Sequence, residues 1–145
     1  MTPAKLRARP AWVWVISIFF FISVSWNILS YYLVYSGVFP LEPTQEALLG
    51  SFTVVDHSLS VAIAVLNLAG ALSLFLLRRR AYHFFLAALS LNLVTMIWYF
   101  VARGGVRKFL EATGWAGLIG QMMGLGLLTA VWLYARKLKK SGVLS

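Results

Sequence analysis

The sequence predicts an all-α membrane protein: four transmembrane helices in an antiparallel bundle, with both termini cytoplasmic. Of 145 residues, 61% are hydrophobic and only 12% charged, whereas about a quarter of residues are charged in soluble domains. The charges stand between four long apolar runs, at about 11–35, 52–77, 81–102 and 115–135. Each run exceeds or approximates the roughly 20 residues that cross hydrocarbon. The third observation is Arg78-Arg79-Arg80, three adjacent guanidinium groups between the second and third runs. Together at the centre of a bilayer they would cost about 8 to 10 kcal/mol. They therefore form a turn at one membrane face, and they determine the topology.

The chain reads as a single domain, 1–145. Its basic start, with Lys5, Arg7 and Arg9 before Pro10, is like that of a secretory signal. The run to Tyr35, however, is much longer than a signal core of about 7 to 15 residues, and no small-residue cleavage site follows it. It is read as a retained first span. Trp12 and Trp14 at its start, and Tyr31, Tyr32 and Tyr35 near its end, sit where amphipathic rings favour the headgroup zone. Gly37, Pro40 and Pro43 then break the helix, and Glu42 and Glu46 require water. Residues 44–50 fit a short surface helix capped by Thr44 and an irregular loop equally well. After the third run Gly104-Gly105 is a break, and 106–112 is a candidate interfacial helix. Arg136, Lys137, Lys139 and Lys140 close the fourth run.

Four spans place both termini on one side. Ten of the thirteen Lys and Arg residues fall there: Lys5, Arg7, Arg9, the arginine turn, and the four that close the last run. Only Arg103, Arg107 and Lys108 fall on the other side. The excess of cations predicts that the richer side is cytoplasmic. All four acids, Glu42, Glu46, Asp56 and Glu111, lie opposite.

Each span holds one carboxamide: Asn27, Asn67, Asn92 and Gln121. Asn67 and Asn92 lie nearly equally far before and after Arg79, so a hairpin folded at the arginines sets them level, where an interhelical hydrogen bond is expected. Asn27 and Gln121 share a second depth in the outer half. Such bonds contribute about 0.6 kcal/mol on average. Helical spacing groups Ser23, Asn27 and Ser30 on one face, and Asp56, Ser60, Ile63 and Asn67 on another. Ala88, Asn92, Thr95 and Tyr99 share a third face, and Gly117, Gly120, Gln121 and Gly124 a fourth. Gly120-x-x-x-Gly124 permits close approach of another backbone. These stripes are either the packing surfaces of the bundle or the walls of a polar cleft.

No reaction chemistry is legible. His57 and His83 begin helices at opposite faces and cannot share a metal or haem. Asp56 and His57 are neighbours that point about 100° apart on a helix, which disfavours an acid–base dyad. Asp56 reads as a first-turn carboxylate that complements the helix dipole, and the pair is a candidate outer-face proton or cation site. There is no cysteine, hence no disulfide or thiolate nucleophile. No phosphate loop, metal-ligand cluster or activated nucleophile is present, and no intramembrane Glu, Lys or Arg is placed to couple protons. A protein that is not an enzyme, without metal or cofactor, is expected. The net charge of +9 is not laid out on one face or arm as nucleic-acid binding requires.

Several short stretches carry a resemblance. They are Trp26-Asn27 with Tyr31, Gln45-Glu46-Ala47, Leu76-Leu77-Arg78-Arg79-Arg80-Ala81, Ala88-Leu89-Ser90-Leu91, Tyr134-Ala135-Arg136-Lys137 and Gly142-Val143-Leu144. The pattern resembles a family of small bacterial four-helix inner-membrane proteins often labelled "sugar transporter". The resemblance implies a bacterial inner-membrane location. The chain departs from it at Val55-Asp56-His57, where the family has an aromatic residue and a proline, and at Leu29-Ser30, where it has a glycine.

Two functions follow as expectations. The first is a non-catalytic accessory or self-associating protein that docks through its helices to itself or to a larger membrane complex. The second is a carrier or channel-like protein for a small neutral solute, acting as an oligomer because four helices enclose little space.

Overall fold

The computed structural model of the chain describes residues 10–40, 43–50, 52–102 and 105–144. Lys5, Arg7, Arg9, Glu42, Arg103 and Gly104 lie outside them, as do the side chains of Thr44, Gln45 and Lys108. The described residues form helices only: α1 Ala11–Tyr35, α2 Pro43–Gly50, α3 Val54–Phe75, α4 Arg80–Ala102 and α5 Gly105–Lys140. Four segments are long and apolar enough to cross a membrane: α1, α3, Arg80–Val101 of α4 and Gly114–Lys140 of α5. Their outward faces carry Trp12, Ile22, Val65, Ile97 and Leu133, all exposed. Such surfaces suit contact with lipid.

Local chemistry explains where the helices start and stop. The segment that fitted either a helix or a loop is helical, as α2. The candidate interfacial helix is the first part of α5, which breaks at Gly114, where φ is 66° and ψ is −177°. The last span then continues past Ala135 to Lys140, because cations in a final turn interact favourably with the negative end of the helix. The second span is shorter than 52–77. At its start Thr53 and Asp56 form a reciprocal capping box. The Asp56 carboxylate accepts both the Thr53 N–H and the Thr53 hydroxyl at 2.7 Å, which confirms its place in the first turn.

The other end of α3 is unusual. The Leu77 N–H donates to the Leu74 carbonyl and the Arg78 N–H to the Ser73 carbonyl, the latter at 2.8 Å. This pattern satisfies the last carbonyls of a helix and needs a left-handed residue between them. At the ends of α1 and α5 glycine fills that role, as Gly37 and Gly142, but here it falls to Leu77 with φ 54°. A residue with a Cβ costs about 1 to 2 kcal/mol in that conformation. The Leu77 side chain packs against the core, which offsets part of the cost.

Packing runs α1 to α3, α3 to α4 and α4 to α5. The core lies almost wholly at the arginine end. Val13 and Phe20 of α1 meet Ala71 and Leu74 of α3, Ala81, Phe85 and Ala88 of α4, and Leu128, Val131, Ala135 and Leu138 of α5 in one cluster. Leu144, beyond α5, is fully buried in it, and its carbonyl accepts from Arg79 Nε at 3.2 Å. Edge-to-face contact of Trp14 with Phe75 at 4.8 Å, and the tilted pair Phe20–Phe85 at 5.4 Å, lie within the range where aromatic rings attract beyond simple burial. Ser17, only 1% exposed, donates to the Ala71 carbonyl at 3.3 Å and ties α1 to α3.

Gly70 is where α3 and α4 come closest through a missing side chain. A Cβ built there would stand 3.0 to 3.1 Å from the fully buried Phe85 ring. Gly70→Val should therefore overpack the core and destabilise the protein by about 1 to 3 kcal/mol. The expected result is a lower melting temperature in mild detergent, partly restored by adding Phe85→Leu. An unchanged melting temperature for Gly70→Val alone would contradict this close packing.

Candidate functional site

At the ends of the helices away from the arginine turn the packed core gives way to an open cleft of about 520 Å³. Its walls come from α1, α3, α4 and α5, and its polar lining is Ser23, Asn27, Tyr31, His57, Ser60, Asn67, Asn92, Thr95, Tyr99 and Gln121. The four carboxamides picked out in the sequence are thus brought to one place. The faces around them are only partly shared. Ser60 and Ile63 line the cleft with Asn67, and Thr95 and Tyr99 line it with Asn92, but Ala88 is fully buried in the core.

The amide pairing differs from the expected one. Gln121 Nε2 donates to Asn92 Oδ1 at 3.5 Å, linking α5 to α4. Asn27 Nδ2 donates to the Ser23 carbonyl of its own helix at 2.9 Å. Asn67 does not meet Asn92: its Oδ1 is buried and has no partner among the described residues. The level placement of Asn67 and Asn92 along the hairpin is compatible with this. Level groups bond only if both side chains also turn towards the same seam, and Asn92 turns towards α5.

An unmet buried acceptor costs about 1 to 3 kcal/mol. Asn67 Oδ1 would therefore gain from a donor brought in from outside.

An aromatic collar stands near the cleft. The Tyr35 hydroxyl lies 3.3 Å from His57 Nε2, and the ring centres are 6.2 Å apart. Phe52 lies edge-on to His57 at 5.9 Å and to Tyr99 at 6.4 Å, and Tyr31 stacks along α1 on Tyr35 at 6.3 Å. His57 and Asp56 therefore part company: the imidazole faces the cleft and the collar, while the carboxylate, 9% exposed, is engaged by the Thr53 cap.

Among the described residues no Asp, Glu, Lys or Arg lines the cleft, and no group of three or more His, Asp or Glu is placed to hold a metal ion. The arrangement offers hydrogen-bond donors and acceptors without fixed charge. Gly120 and Gly124 do not bring a backbone close within the chain, since a Cβ at either would meet open space. Sequence reasoning missed Ser17, Tyr35 and Phe52. Ser17 shares a helical face with Val13, Phe20 and Val24, but its partner is a backbone carbonyl, which side-chain spacing does not reveal.

Comparison with known proteins gives no matching family model, no matching curated protein and no matching solved structure. What the chain does must be argued from its own residues.

The hydrogen bonds separate two substitutions of similar size. Asn92→Leu removes the partner of Gln121 and should lower stability by about 0.6 kcal/mol, the usual worth of such a bond. Asn67→Leu removes no hydrogen bond and should leave stability unchanged or raised. Thermal unfolding in one detergent checks both, and a larger loss for Asn67→Leu would contradict the unpartnered amide.

Proposed function

We propose that the protein is a multi-pass membrane protein whose open cleft binds a small neutral polar solute, and that it acts as a carrier or channel-like oligomer. The observation that carries this is the convergence of four carboxamides from four helices on a cleft whose described lining holds no Asp, Glu, Lys or Arg. A carboxamide both donates and accepts, so the cleft matches hydroxyl or amide groups of a solute. An ion would meet no carboxylate, ammonium or guanidinium counter-charge among the described lining residues, and an unpaired charge in a low-dielectric setting is expensive. The unpartnered Asn67 Oδ1 favours a solute that donates a hydrogen bond. A second copy is needed to close the open side, because the four helices alone leave the cleft exposed.

The orientation belongs to the same proposal. The helices run antiparallel in a bacterial inner membrane, with the arginine turn and both termini in the cytoplasm and the cleft towards the outside. The distribution of cations along the sequence supports this: ten of the thirteen Lys and Arg fall before the first span, in the arginine turn or at the close of the last span.

An accessory role, docking to itself or to another membrane-protein subunit, is favoured by a different observation: the open space over Gly120 and Gly124. Glycines that pack nothing within the chain leave a flat strip for another helix. On this reading purification in mild detergent at native expression recovers an oligomer or a complex. Recovery as a free monomer would count against docking and against the oligomeric carrier alike.

Proteoliposomes test solute movement directly. Flux of small neutral polyols should exceed that of protein-free vesicles, and Asn67→Leu should reduce it at least several-fold while remaining folded. Equal leakiness of parent, Asn67→Leu and Asn92→Leu would argue against the cleft as a path. Orientation is read separately, from a cysteine placed at position 79: a membrane-impermeant thiol reagent added to intact cells should fail to modify it.

A further inference from the structure

The arginine end carries a constellation that the cleft does not use. Trp132, Arg136 and Lys139 lie on one face of α5, against Tyr82 and His83 in the first turn of α4. The Arg136 guanidinium carbon is 5.8 Å from the centre of the Trp132 ring. Lys139 Nζ is 4.5 Å from the centre of the Tyr82 ring and 3.5 Å from His83 Nε2. The Tyr82 and Trp132 rings are themselves 6.0 Å apart, so both cations rest on one aromatic floor.

That floor holds the cations in place without neutralising them. The four acids of the sequence are at 42, 46, 56 and 111. Of these, Asp56 is engaged by the Thr53 cap, and Glu111 pairs with Arg107 at 3.0 Å. The Trp132 indole nitrogen, which can only donate, is buried and has no acceptor among the described residues. Two positioned cations and one unmet donor are thus gathered where the described residues supply no carboxylate side chain.

We infer that this seam between α4 and α5 holds the phosphate of an anionic phospholipid headgroup. Arg136 and Lys139 supply the opposing charge, and the Trp132 N–H donates to a phosphate or ester oxygen. A lipid, and not free phosphate, is the source, because the seam closes the ends of two apolar spans. Tyr82 and Trp132 are also the ring types that gather at headgroup depth. Arg78, Arg80, Lys137 and Lys140, all exposed at the same end, add to the local positive potential. The inference depends on the membrane location and not on the cleft.

The test uses the full chain in detergent, given equal amounts of phosphatidylglycerol and phosphatidylcholine, with retained lipid counted by native mass spectrometry. Retention of phosphatidylglycerol should exceed that of phosphatidylcholine, and R136Q/K139Q should lower it about twenty-five-fold, at roughly fivefold per cation. The control K137Q/K140Q removes the same charge from the same helix end, and neither lysine touches an aromatic ring among the described residues. It should lower retention less than twofold per residue. Trp132→Phe, which keeps the ring and loses the N–H, should lower it several-fold without altering the melting temperature. Equal losses in the two double variants, equal retention of both lipids, or complete displacement by millimolar glycerol phosphate would each overturn the assignment.

Discussion

Hydrocarbon cannot solvate three adjacent guanidinium groups, and the fold is arranged around keeping them out of it. α3 stops two residues before Arg78, although stopping there obliges Leu77 to take a left-handed conformation that a glycine would adopt more cheaply. The helix end is nevertheless complete, because Ser73 and Leu74 give their carbonyls to Arg78 and Leu77. A local cost of about 1 to 2 kcal/mol is small beside the expense, about 8 to 10 kcal/mol, of drawing the three arginines inward. Solvation thus decides the turn, and backbone preference yields.

Everything that packs tightly does so near this turn. Small residues there, Gly70, Ala71, Ala81 and Ala88, let α3 and α4 approach around Phe85, and α1 and α5 add Val13, Phe20, Val131 and Ala135. Towards the other end the helix faces carry Asn, Ser, Thr and Tyr in place of Ala and Leu. Polar side chains of that size neither interdigitate as closely nor lose their need for partners, so the same seams that are filled at one end stand open at the other. Packed core and polar cleft are two halves of one set of interfaces, separated by composition along each helix.

Much of this was legible in the sequence, and the reasons differ by element. Span existence followed from length and apolarity, and α1 matches its expected limits of 11–35 because Pro10 and Gly37 mark both ends. The end of α3 was less clear, since no sequence rule places a leucine in the left-handed position. The carboxamides were recognised as a group, yet their bonds were not. Depth along a helix can be counted from residue numbers, whereas the rotation that turned Asn92 to Gln121 and left Asn67 unpartnered depends on how α4 and α5 meet. Ser17 was hidden for a related reason: its partner is a backbone carbonyl, Ala71, which no side-chain pattern announces. The seam of Tyr82, Trp132 and Lys139 likewise joins residues far apart in the chain.

The placement of that single core has a consequence for how the molecule is made. Val13 from the first helix and Leu138 from the last belong to the same cluster, so neither half of the chain owns a complete hydrophobic centre. A ribosome working at usual speeds needs about 6 to 25 s to pass from one to the other. Ser17 can meet the Ala71 carbonyl once α3 has been made, whereas the face of α4 that packs on α5 stays uncovered until the last helix arrives. The core is therefore completed only at the end of the chain.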